Sequence, residues 1–182
     1  MTLNELRSLL KDRGFTPREI KDSDIKNLES MVKFKVPELL IDFIKITNGF
    51  NFGVLEDKII SCDVLKPGTY EPFGHPVKDF GILQMYSYNK DNSDIDNFYD
   101  YYRILIDNYK EDKHFALPPD RYFPIFDGFG ETTVFFDKNT GELVNFVNDG
   151  EDPIFDSRTI VASSIKDFIE RCTINDFFLE FT

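Results

Sequence analysis

The sequence has little of what metal centres, disulfide frameworks and membrane spans are built from. It holds two cysteines and two histidines in 182 residues. Cys62 and Cys172 lie far apart, match no zinc or redox spacing, and are flanked by apolar residues, which reads as small buried hydrophobes. His75 sits in a loop between Gly74 and Pro76, and His114 ends a tyrosine-rich segment. Neither has a second histidine at ligand spacing, so no metal and no cofactor is expected. A nucleophile elbow, a P-loop and a dinucleotide glycine fingerprint are all missing. No apolar run approaches the roughly 18 residues of a membrane span. The N-terminal MTLNELRSLLKDRGF carries acids and lacks the uninterrupted apolar core of a signal peptide, so a cytosolic protein is expected. Cations are scarce too: 21 Lys and Arg face 33 Asp and Glu, a net charge of −12. Phosphate contacts need clustered Lys and Arg, so direct nucleic-acid binding is not expected, whereas a basic protein partner would suit.

What the chain does have is aromatic core material. It contains 20 Phe and 8 Tyr, and 41% of its residues are apolar. That length and composition predict one domain. The centre is Arg121–Val147, where apolar runs at Tyr122–Phe126, Thr132–Phe136 and Leu143–Val147 are separated by two turn clusters. Phe, Val and Thr at this density predict strands in the middle of a sheet. The turns are Asp127–Gly130, rich in glycine, and Asp137–Gly141, with the composition of a hairpin loop.

Helices are predicted around that sheet. Thr2 and Glu5 form a capping box ahead of Leu3, Leu6 and Leu10. Thr16-Pro17 opens either a short turn of helix or a link. A second helix starts near Asp22 or Ser23, with Ile25, Leu28 and Val32 as its buried stripe. The third follows Pro37, is apolar on most sides, and ends at Asn48-Gly49. A tyrosine-rich helix with Ile95, Phe98, Tyr102, Leu105 and Tyr109 as its stripe is predicted to be capped by Ser93 or Asp94. Ser164 opens a last helix, and Phe177-Phe178-Leu179 reads as a docked tail. Strands are predicted at Val54–Leu55, Lys58–Val64, Gly81–Tyr88 and Arg158–Ala162. This order predicts an α+β fold, a central, mainly antiparallel β-sheet flanked by helices.

Carboxylates are the remaining chemical possibility. Asp127 and Glu131 bracket the first turn and Asp137 opens the second, an arrangement open to acid–base work or metal binding but also to plain turn formation. Asp137–Gly141 starts like a calcium loop, yet its glycine falls one place early and no closing glutamate follows.

Four segments, in order, carry a family resemblance. They are Ile25–Glu29 with Phe34–Glu38, then Leu40, Phe43 and Asn48-Gly49, then Phe123–Glu131 continuing through Phe136-Asp137 and Thr140-Gly141, and finally Val161–Ile169. Together they resemble the Smi1/Knr4 (SUKH) superfamily, and the resemblance implies a single such domain over 22–182 after an N-terminal helical extension over 1–21. Leu40 stands where an aromatic is common, and Phe50 replaces a second glycine. The resemblance implies a non-enzymatic binding protein. Bacterial members are commonly immunity proteins that neutralise a secreted polymorphic toxin, often a nuclease. Fungal relatives regulate cell-wall synthesis, which leaves a scaffold module as the alternative. The expected partner is a basic toxin domain, with contacts at Asp127, Phe129, Glu131, Asp149, Glu151 and Asp152.

Overall fold

The structure, a computed structural model, describes residues 1–51, 58–65, 79–89, 97–113, 116–128, 132–149, 152–153 and 158–176. Three helices lead: α1 (Leu3–Asp12), α2 (Asp22–Val32) and α3 (Glu38–Thr47). The capping box of α1 forms as expected, with the Thr2 amide donating to Glu5 Oε2 at 2.6 Å and the Glu5 amide to Thr2 Oγ1 at 3.2 Å. The Thr16-Pro17 segment is a link with no helical turn. Leu6, Leu10 and Phe15 are buried in the same core as the rest of the chain. Phe15 meets Phe50 edge-on at 5.7 Å, so the residue in the second-glycine position is a packing surface for the N-terminal segment. On α3, Leu40, Phe43, Ile44 and Ile46 are buried, with Leu39 and Ile41 packed at the margin.

The strands are β1 (Lys58–Asp63), β2 (Asp79–Met85), β3 (Tyr122–Gly128), β4 (Thr132–Asp137), β5 (Leu143–Asp149), β6 (Asp152–Pro153), β7 (Thr159–Ala162) and β8 (Thr173–Asp176). They form one sheet in the order β6-β5-β4-β3-β2-β1-β8, with β7 also pairing β5. Every pairing between these strands is antiparallel. The α+β expectation holds, and the three strands of Arg121–Val147 lie at the sheet's centre. Val54–Leu55 and the Phe177–Leu179 tail lie outside the described residues.

Pro124 sits inside β3, opposite Phe135, where it has no N–H to give the ladder. The register shifts between Pro124 and Phe126, leaving Ile125 as the extra residue of a bulge. The Tyr88 hydroxyl lies 3.4 Å from the carbonyls of both Pro124 and Ile125, so a buried donor serves the interrupted ladder.

Phe126 and Phe136 share one face of the sheet. Phe168 of α5 (Ile165–Arg171) packs on Phe126 at 5.3 Å and meets Phe43 of α3 edge-on at 6.0 Å, while Phe34 lies 5.9 Å from Phe136. The tyrosine-rich helix is α4 (Phe98–Glu111), and here the structure corrects the sequence reading. Its cap is Asn97, whose Oδ1 accepts from the Tyr99 amide at 2.8 Å, so the helix begins after Ser93 and Asp94. An Asx side chain reaching two residues ahead is what stops the helix from extending upstream. Phe98 stacks between Tyr88 and Tyr102, at 5.0 and 5.4 Å.

Candidate binding face

The two ends of the central sheet differ in kind. At one end Tyr122 pairs with Asp137 and Phe136 with Leu143, so the Asp137–Gly141 turn lies there. Asp137 is fully buried and carries the local charge balance. Arg121 grips its carboxylate through Nη2 at 2.7 Å and Nε at 3.1 and 3.2 Å. Arg158 approaches Asp137 at 3.5 Å and Glu142 at 2.7 Å, and the Asn139 amide donates to Asp137 Oδ1 at 3.0 Å. Burial pushes the Asp137 carboxyl up, but these donors outweigh it and hold it below the usual carboxylate range.

Lys138 completes this end. Its ammonium donates to the carbonyls of Val32 and Pro119, both at 2.8 Å, and to the Tyr102 hydroxyl at 3.3 Å. One side chain thus ties the last turn of α2 to the segment entering β3, placing a cation at a helix C-terminus. Burial pushes Lys138 down to about 8, against the opposing pull of Asp120. A carbon-detected titration should find its ε-methylene shifting with a midpoint near 8, below the value of about 10.4 for lysine in a model peptide. Because the folded value is depressed, Lys138 adds stability as pH rises through that interval, and Lys138→Arg should abolish the increment.

The opposite end holds the residues expected to bind a partner. Gly128 pairs with Thr132 and Thr132 with Val147, which brings the β3–β4 reversal next to the far end of β5. There Asp149 pairs with Asp152, so the β5–β6 reversal lies at this same end. The register therefore brings Asp127, Asp149 and Asp152 to one end of the sheet. Phe129, Glu131 and Glu151 lie outside the described residues.

Asp127 is half-buried and bonded inward. It accepts from Tyr86, from Thr133 Oγ1 at 2.9 Å and from Gln84 Nε2 at 3.3 Å. Burial and then the charge of Asp127 push the Tyr86 phenol well up, which keeps it a proton donor to the carboxylate. The Tyr101 hydroxyl reaches Thr133 at 3.4 Å and its ring lies 5.2 Å from Tyr86, so α4 braces the same cluster. This arrangement ties the end of β3 to β2, β4 and α4. The donor set around Asp127 and the arginines on Asp137 engage carboxylates that acid–base chemistry or a metal would need. Among the described residues, no three His, Cys, Asp or Glu side chains are grouped to hold a metal ion, and no helix is long and apolar enough to cross a membrane.

Sequence reasoning missed Tyr86, Thr133 and the two arginines, because nothing local marks residues that meet only across strands. It also missed the work of Asn48. That residue is fully buried at the end of α3 and donates to the Arg18 carbonyl at 3.1 Å and Asn89 Oδ1 at 2.7 Å. Its own Oδ1 accepts the Tyr88 amide at 3.0 Å. The left-handed position predicted there is taken by Gly49, at φ 76°.

The chain matches the model of the SMI1 / KNR4 family (SUKH-1) over residues 19–171. No curated protein and no solved structure matches it. The matched span includes the Asn48-Gly49 corner, the braced Asp127 turn and the helix opened by Ser164. With most of its length and the central strands β3, β4 and β5 inside that match, the chain belongs to the SMI1/KNR4 (SUKH-1) family.

Proposed function

We propose that this protein is an immunity-type inhibitor that binds a basic toxin domain in the cytosol and covers its working cleft without chemistry of its own. The observation that carries the reading is the convergence of Asp127, Asp149 and Asp152 on one end of the sheet. Acidic residues opposed across a ladder, as Asp149 and Asp152 are, disfavour the folded state unless something offsets them. A cationic surface offsets them, and the net charge of −12 speeds its approach. The inward bonding of Asp127 holds the end of β3 in place before any partner arrives, which lowers the ordering cost of binding. The family resemblance supports a protein-binding role, and a nuclease domain with a basic substrate cleft fits the charge.

Coexpression with the toxin domain encoded beside this chain should protect cells and yield a complex that survives purification. Asp149→Lys with Asp152→Lys should weaken that complex at least about tenfold, mainly through slower association, and flatten its salt dependence. A pair that neither associates nor protects, or binding unchanged by the double reversal, would sink the proposal.

A further inference from the structure

We propose that Cys62 and Cys172 form an oxidisable dithiol site, closed to an intramolecular disulfide by a hydroperoxide, that fastens β8 to β1. The register of these strands pairs Ser61 with Thr173. Continuing the antiparallel ladder by one residue sets Cys62 opposite Cys172. Cys172 follows α5 with φ −57° and ψ 136°, an extended conformation that carries the strand direction back to it. Directly opposed residues in such a ladder have Cα atoms roughly 4.5–5.5 Å apart, inside the roughly 4.4–6.8 Å span that disulfides accept. Both thiols are free and both are buried, at 2% and 5% exposure.

Their surroundings separate them into two roles. The Cys62 S–H donates to the Asp63 carbonyl at 3.3 Å, and the neighbouring Cys172 thiol and the Arg171 guanidinium hold the Cys62 thiol below its ordinary range despite burial. The same contact and burial push Cys172 up. Arg171 is held in place, its Nε on Asp167 at 2.9 Å and its guanidinium donating to the carbonyls of Asp63 and Val161. The negative charges of Asp63 and Asp167 oppose it without cancelling it. Cys62 is therefore the attacking thiol and Cys172 the resolving one.

The Cys62 thiolate attacks one oxygen of the hydroperoxide. An S–O bond forms, the O–O bond breaks, and the departing oxygen takes a proton to become an alcohol, or water from hydrogen peroxide. The Cys172 sulfur, losing its proton, then attacks the sulfenic sulfur. The S–S bond forms, the S–O bond breaks and water leaves. Two thiols and one hydroperoxide thus give one disulfide, one alcohol and one water. Access comes from the position of β8, which ends the strand order and opens more readily than the central strands.

Folded wild-type protein treated with excess hydrogen peroxide should lose two hydrogens in mass. It should lose both thiols titratable after unfolding and yield one cross-linked peptide containing Cys62 and Cys172. Dithiothreitol should reverse all three changes, and the oxidised form should melt about 5–10 °C higher. Cys172→Ser should instead accumulate a dimedone-reactive sulfenic acid at Cys62. Thiols that remain titratable, oxygen addition at each cysteine without a cross-link, or cross-links only between molecules would each overturn the proposal. The wild-type readouts stand even if the variant folds poorly.

Discussion

Asp137→Ala is expected to lower the unfolding free energy by about 3–5 kcal/mol, measured by urea denaturation. Asp137 is fully buried and ion-paired with both Arg121 and Arg158. Two effects add. The arginines lose their partner while still partly enclosed, and the Asn139 amide loses its acceptor. Arg121 keeps about a third of its side-chain exposure, 35%, and regains some hydration, which places the result toward the lower figure. Asp137→Asn retains an acceptor for Asn139 and for Arg121, so it should cost less than alanine. The pH response separates charge from shape. The folded carboxyl is depressed, so its contribution is complete above the unfolded value of about 3.9 and is lost as pH falls through the folded value. Wild type should therefore weaken below about pH 4, and Asp137→Asn should show a shallower acid slope.

Asn48→Ala should destabilise the protein by about 2–4 kcal/mol in the same assay. The deleted carboxamide serves three partners from two distant parts of the chain: the Arg18 carbonyl, the Asn89 side chain and the Tyr88 amide. The Tyr88 amide is the costly one, because Tyr88 is fully buried. Asn48→Asp is the sharper probe. It keeps the acceptor for Tyr88 but turns two donated bonds into oxygen–oxygen contacts with Arg18 and Asn89. A loss equal to that of alanine would assign the stabilisation to the donated pair. A near-neutral aspartate would assign it to Tyr88.

These two residues also mark where the sequence was legible and where it was not. The Asn48-Gly49 pair announced a helix end, because backbone conformation is a local property and glycine permits φ 76°. The carboxamide's three partners lie 30 to 41 residues away and leave no local trace. Asp137 was read as a turn residue, which it is, but its salt-bridge partners sit just ahead of β3 and just ahead of β7. The same division runs through the fold. The capping box of α1 and the three central strands were readable from spacing and composition. β8 was not, since Ile174 is the only apolar residue in Thr173–Asp176 and its pairing with β1 is remote. The cap of α4 was displaced because several Asx and Ser residues compete upstream, and only the observed bond to Tyr99 selects Asn97. At the binding end, register explains why acids distant in sequence meet, while Tyr86 and Thr133 entered only with the folded sheet.

The pairing of β1 with β8 also governs the order of events during synthesis. Lys58 finds its partner in Asp176, so one side of β1 stays unpaired while the ribosome makes the whole central hairpin and α5. A strand with buried Ile60 and Cys62 and an open ladder edge is a template for pairing with another nascent chain. Slowing translation between α5 and β8 should lengthen that exposure and lower soluble yield. The same delay between β4 and β5, whose partners lie close in sequence, should be tolerated.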